Sequence, residues 1–89
     1  MSVYVDAMTP CLPNKNWNFH ESCHLFADTE GELHRFADKI GLKRRWFQAG
    51  RLDHYDLSPR MRERAVTFGA IECDRQTVVD HMKTLGVAR

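Results

Sequence analysis

The chain has 89 residues, enough for one α/β-sized domain around one modest core and too few for two. Hydrophobic residues make up 43% of it, no apolar run reaches the roughly 18 residues of a membrane span, and no basic-then-apolar leader opens it; disorder and a membrane helix are set aside, and a cytoplasmic location is expected. The net charge of +1 hides an asymmetry: two bases stand against six acids up to Asp38, and eleven against six from Lys39 onward. A basic half of this kind suits a phosphate-bearing partner, although solvated basic helix faces give the same pattern.

Val3 to Asp6 is a short β-prone run that ends on an aspartate. Ala7 to Ser22 contains Pro10, Pro13 and three asparagines, so it is read as a long loop, and Trp17 and Phe19 are expected to pack it over the core. Cys23 to Ala27 reads as a second strand. Thr29 and Glu32 have the spacing of a capping box, Leu33, Phe36, Ala37 and Ile40 form one apolar stripe, and Gly41 followed by Leu42 fits a Schellman stop, so a helix is expected from Thr29 to Ile40. Arg44 to Gln48, with Trp46 and Phe47, is read as a third strand. Ser58 and Pro59 open a second helix with Met61, Ala65 and Phe68 inward and Gly69 at its end. Ala70 to Cys73 is a fourth strand, and Asp74 caps a last helix with Val78, Met82 and Leu85 inward and Gly86 as its stop. His54 to Asp56 is left as a short strand or a turn.

This order predicts a single α/β domain over residues 1–89, with about four short, mainly parallel strands and three helices, the first strand–helix–strand unit making a parallel crossover. In parallel sheets ligands sit beyond the carboxyl ends of the strands. That edge would gather Asp6, Asp28, Gln48, His54, Tyr55 and Asp56 as ligand-binding candidates. Within that group Asp6, Asp28, His54 and Asp56 form a carboxylate–imidazole set suited to Mg²⁺ or Mn²⁺. Capping by Asp28 and turn hydrogen bonds by His54 and Asp56 explain the same residues without a ligand. His54 and His24 are the candidate general bases.

Cys11, Cys23 and Cys73 are odd in number and lack a CxxC pair, as reduced thiols would be. A zinc set of Cys11, His20, Cys23 and His24 is opposed by strand alternation, which sends Cys23 and His24 to opposite faces. Lys43, Arg44 and Arg45 beside Trp46, backed by Arg35 and Lys39, offer cations with an aromatic, the composition of nucleic-acid binders.

VYVD at Val3 to Asp6, HLFAD at His24 to Asp28, ELHRFA at Glu32 to Ala37, GLKRRWFQ at Gly41 to Gln48, HYDL at His54 to Leu57 and GAIE at Gly69 to Glu72 together resemble the bacterial and phage family known as domain of unknown function 4031. The resemblance implies a shared fold and draws attention to His24, Asp28, His54, Tyr55 and Asp56; it brings no activity. The leading expectation is a domain that binds a phosphate-bearing small molecule of nucleotide type, with a divalent metal. The rivals are a metal-dependent phosphoester hydrolase and a phage-type nucleic-acid or protein-interaction module.

Overall fold

A computed structural model describes residues 2–15 and 17–88, with side chains as far as Met82. The strands are β1 (Val3–Val5), β2 (Thr9–Pro10), β3 (Glu21–Ala27), β4 (Tyr55–Leu57) and β5 (Ile71–Glu72), and the helices are α1 (Glu30–Ile40), α2 (Pro59–Thr67) and α3 (Arg75–Ala88). They make a small compact α/β domain with three helices and a five-stranded sheet.

The sheet is mixed, and this corrects the mainly parallel expectation. β3 is its centre. It pairs antiparallel with β1 along one edge and antiparallel with β4 along the other, while β5 adds in parallel to the far side of β1. The expected strand from Arg44 to Gln48 does not form: Arg44–Trp46 is a single 3-10 turn. The reason lies in alternation. Trp46 and Phe47 are adjacent and cannot share a strand face, whereas Tyr55, Asp56 and Leu57 alternate apolar, polar, apolar and take the free edge of β3 instead. With the 3-10 turn and its following loop inserted, the chain enters β4 running against β3, and no parallel crossover forms.

The helix ends follow their local chemistry. Thr29 Oγ1 accepts the backbone N–H of Glu32 at 3.2 Å, and its hydroxyl donates to the Glu32 carboxylate at 3.1 Å. Gly41 at φ 92° closes α1, and Leu42 N–H donates to the Ala37 carbonyl at 2.9 Å. Ser58 caps α2 through the Met61 N–H, and Pro59 takes its first position. Asp74 Oδ1 accepts the Thr77 N–H at the start of α3. That helix runs past Gly86 to Ala88, since one glycine inside a helix weakens it without ending it. The side chain of Leu85 lies outside the described residues.

Alternation along β3 divides the molecule. Cys23, Leu25 and Ala27 face a core closed by Leu33, Ala37 and Ile40 of α1 and Ala65 of α2. Phe26 points the other way, where it meets Leu52, Val78 of α3, Tyr4 and Met82. Phe36 packs against the core on the α1 side only partly buried, and His34 of the same helix is buried, with Nδ1 2.9 Å from the Tyr55 hydroxyl. His24 and Asp56 are cross-strand partners on the α3 side of the sheet.

Candidate functional site

The site begins with a break in a β-ladder. Pairing runs Val5 to Leu25 in β1 and Thr9 to Ser22 in β2, so four steps along the first edge match three along β3, and the extra residue is a bulge between Val5 and Thr9. Asp6 N–H still donates to the His24 carbonyl at 3.3 Å, but the return bond has changed hands. The His24 N–H donates to the Asp6 carboxylate Oδ1 at 2.6 Å, and the Asp6 carbonyl accepts Arg62 Nε–H at 2.8 Å. The side chain of Asp6 is thereby turned back onto His24 and buried.

Asp6 Oδ2 then takes the His24 ring Nδ1 at 2.7 Å. A carboxylate only accepts, so this contact puts a proton on Nδ1, and in the neutral ring that leaves Nε2 with the lone pair. His54 also sets its Nδ1 against a fixed acceptor, by another route, but its Nε2 faces a carboxylate as well. Its Nδ1 lies 2.7 Å from the Leu52 carbonyl, again an acceptor, and its Nε2 lies 3.4 Å from Asp56 Oδ1. The two imidazoles meet edge to face, with centroids 4.8 Å apart. One ring nitrogen of each and one Asp56 oxygen lie within 4.8 Å of one another, the group among the described residues able to hold a metal ion.

Gln48 and His54 close the intervening loop as a two-residue bridge, with N–H to carbonyl distances of 2.9 and 3.0 Å in the two directions. Gln48 Nε2 donates to Asp56 Oδ2 at 2.5 Å. Both oxygens of Asp56 are therefore engaged, which fixes the carboxylate against the sheet. Burial, the strongest single influence on His54, disfavours its cation, but the Asp56 contact, the Leu52 carbonyl and the charges of Asp56 and Asp6 outweigh it and hold its pKa above the ordinary histidine value. The His54 contact, opposed by burial and helped by Gln48, holds Asp56 below the usual carboxylate range.

Of the residues singled out in the sequence, Asp6, His24, Gln48, His54 and Asp56 are brought together. Asp28 is not. Because β1 and β3 are antiparallel, Asp28 lies beside the start of β1, where it accepts the Ser2 N–H at 2.8 Å and the Tyr4 hydroxyl at 3.2 Å. Tyr55 points to the opposite face, fully buried against His34 and Phe47, and burial raises its pKa. Cys23 and His24 occupy opposite faces, as alternation requires, and burial with the neighbouring Asp6 charge pushes the Cys23 thiol up to about 12. Arg62, which fixes the Asp6 carbonyl, is the residue that sequence reading missed. Nothing in the spacing of the second helix marks it, because its partner is a backbone atom 56 positions away.

Two grooves flank the cluster. One, of about 480 Å³, is lined by Asp6, His24, Thr9, Ser22 and Arg75 with apolar residues of α3. The other, of about 880 Å³, runs along Gln48 and Asp56 toward Trp17, Phe19 and Trp46. The basic residues divide by task. Arg62 also pairs with Glu72 at 2.8 Å, and Arg64 holds the Ile40 carbonyl at 2.9 Å and stacks on Phe68, whereas Arg45 and Arg75 line the grooves.

Mixed sheet, three helices and an imidazole–carboxylate cluster on the α3 side define a small α/β domain with a candidate metal-binding face. Residues 3–85 match the family model described as protein of unknown function (DUF4031), and the chain belongs to that family. No curated protein and no solved structure matches it. No described helix is long and apolar enough to cross a membrane.

Proposed function

We propose that the domain holds one divalent transition-metal ion on His24, His54 and Asp56 and uses it to bind a phosphate-bearing ligand. The observation that carries this reading is the matched Nδ1 contact of the two histidines. Each gives its Nδ1–H to a fixed acceptor, Asp6 in one case and the Leu52 carbonyl in the other, which is the outer arrangement that orients metal-ligating imidazoles. One separation within the donor set suits an ion as it stands. Two donors about 2.1 Å from a tetrahedral zinc stand about 3.4 Å apart, the separation of His54 Nε2 and Asp56 Oδ1. Two imidazoles and one carboxylate favour Mn²⁺ or Zn²⁺ over Mg²⁺, which prefers oxygen alone.

Three protein donors leave coordination positions for ligand oxygens, and Arg75 lines the same groove as His24 and Asp6, placing a cation for a phosphate group. Asp6 acts on His24, and Gln48 acts on Asp56; neither needs to touch the ligand. A metal bound here supplies Lewis-acid polarisation of a phosphoryl oxygen. The Asp6–His24 pair also favours a second reading, phosphoester hydrolysis with His24 as a general base in place of a ligand.

Thermal unfolding with and without Mn²⁺ or Zn²⁺ tests the proposal, because a ligand of the native state alone raises Tm by mass action. The expected result is a rise in the wild type that is lost in His54→Ala and in Asp56→Asn. Equal rises in all three proteins would place the metal elsewhere. Turnover of bis(p-nitrophenyl) phosphate by the Mn²⁺-loaded protein, lost in His24→Ala while metal is retained, would move the assignment to the second reading.

A further inference from the structure

We propose that the larger groove is a base-binding subsite, so that the phosphate-bearing ligand is a nucleotide; this rests on the metal–phosphate reading for the phosphate half only. The groove, of about 880 Å³, is walled by Trp17, Phe19 and Trp46 and carries Arg45, and its floor includes Gln48 and Asp56. A volume of this order is that of small-molecule sites, roughly 300–1,000 Å³.

Its aromatics are placed in a way that core packing does not explain. Trp46 is 46% exposed and Phe19 43% exposed, although both belong to the largest and most apolar residue types in the chain. They are nevertheless held. Trp17 Nε1–H donates to the Glu21 carbonyl at 3.3 Å, Trp17 and Phe19 rings lie 5.0 Å apart, and Lys43 Nζ sits 5.6 Å from the Trp46 ring centroid. The long segment between β2 and β3 thus delivers two rings to one wall, and the 3-10 turn after α1 delivers a third ring with an arginine. Flat π faces and cations at the edge of a groove are the means by which proteins hold planar heteroaromatic bases without reading their sequence.

Asp56 joins the two halves. It lines the aromatic groove and is also the carboxylate of the His24–His54–Asp56 cluster, so a ligand seated on the rings reaches the cluster within one molecule. A planar base and a phosphate joined by a sugar match that sequence of surfaces, and Arg45 complements the negative charge. Neither groove alone specifies this. The aromatic wall without the cluster would suit any flat apolar compound, and the cluster without the wall would suit inorganic phosphate.

Calorimetric titration of the Mn²⁺-saturated protein with the four ribonucleoside 5′-monophosphates, with ribose 5-phosphate as the control lacking a base, tests the subsite. At least one nucleotide should bind on the order of tenfold or more tighter than ribose 5-phosphate, the size of one base stacked on an aromatic side chain. Trp46→Ala and Phe19→Ala should erase that difference while leaving Mn²⁺ uptake and ribose 5-phosphate binding unchanged. Equal affinity for all five compounds in the wild type would overturn the inference and leave the metal reading standing. A difference that survives in both variants would overturn it as well. If Mn²⁺ does not bind, quenching of tryptophan fluorescence by free nucleosides, lost in Trp46→Ala, supports the base subsite on its own, and absence of quenching overturns it.

Discussion

His24 Nδ1 stands 2.7 Å from one oxygen of Asp6, and the other oxygen of the same carboxylate accepts the backbone N–H of His24 at 2.6 Å. One side chain therefore sets both the strand pairing and the tautomer of the histidine beside it. Asp6→Asn keeps the shape but brings an amide N–H to one of these two positions. If the amide faces the ring, the proton is driven to Nε2, the nitrogen proposed to carry the lone pair. Metal affinity should fall about 10- to 100-fold in calorimetric titration, the usual cost of losing such a partner. The chain should still fold cooperatively.

Arg62 acts one step further out. Its Nε–H occupies the Asp6 carbonyl, which frees the carboxylate to replace that carbonyl at the His24 N–H. Arg62→Met should cost about 1–3 kcal/mol in denaturant unfolding, the penalty for leaving a buried acceptor without a partner. The companion contact to Glu72 should matter little, because that carboxylate is largely in water. Glu72→Gln is therefore expected to change stability by well under about 1 kcal/mol.

The His54–Asp56 pair gives a pH signature with a definite sign. His54 has a folded-state pKa above its ordinary value of 6.5, so the stability it contributes is complete below 6.5 and is lost as pH rises through the raised value. Asp56 is shifted down from 3.8, so its contribution is present above 3.8 and is lost as pH falls through the lowered value. Stability of the metal-free protein from this pair should peak between those limits and decline above pH 6.5. Metal binding should run the opposite way, strengthening as His54 loses its proton. Unfolding curves from pH 5 to pH 8.5, with and without Zn²⁺, should show the two trends crossing in wild type and neither in His54→Ala.

The core makes a separate set of expectations on the other face of the sheet. Leu33 is 1% exposed, and Leu33→Ala should cost about 2–5 kcal/mol. Phe36→Ala should cost less, because that ring is only partly buried. Tyr55→Phe removes the hydroxyl partner of buried His34 Nδ1 and should cost about 1–3 kcal/mol while leaving metal affinity untouched. Any change in metal affinity in Tyr55→Phe would mean that the two faces are coupled.

How much of this was legible in the sequence depends on the range of the interaction. The helix limits at Thr29, Gly41, Ser58 and Asp74 were readable because those residues act on neighbours within a few residues, whereas the expected stop at Gly86 did not end α3. Strand direction was not. Whether β3 pairs parallel or antiparallel with β4 is decided by which segment fills its edge, and Trp46 and Phe47 have the composition of a strand without the alternation. Asp28 was assigned to the wrong end of the sheet for a separate reason: β1 pairs antiparallel with β3, whereas the gathering of strand ends assumed parallel neighbours. Tyr55 and Asp56 sit side by side in the chain, yet alternation sends one to the core and the other to the candidate site. The Asp6–His24 contact depends on a bulge, and a bulge leaves no trace in composition.

The central claim is that His24 and His54 both carry their proton on Nδ1 and both offer Nε2 to one ion. A long-range ¹H–¹⁵N correlation spectrum of the uniformly ¹⁵N-labelled protein, taken above the raised pKa of His54 and during stepwise addition of Zn²⁺, reads the tautomers and the ligand atoms together. The expected result is the Nδ1–H pattern for both residues before metal, and a change at both Nε2 atoms that is complete at one equivalent. An Nε2–H pattern at either histidine, or Nε2 signals that stay in place as Zn²⁺ is added, would contradict it.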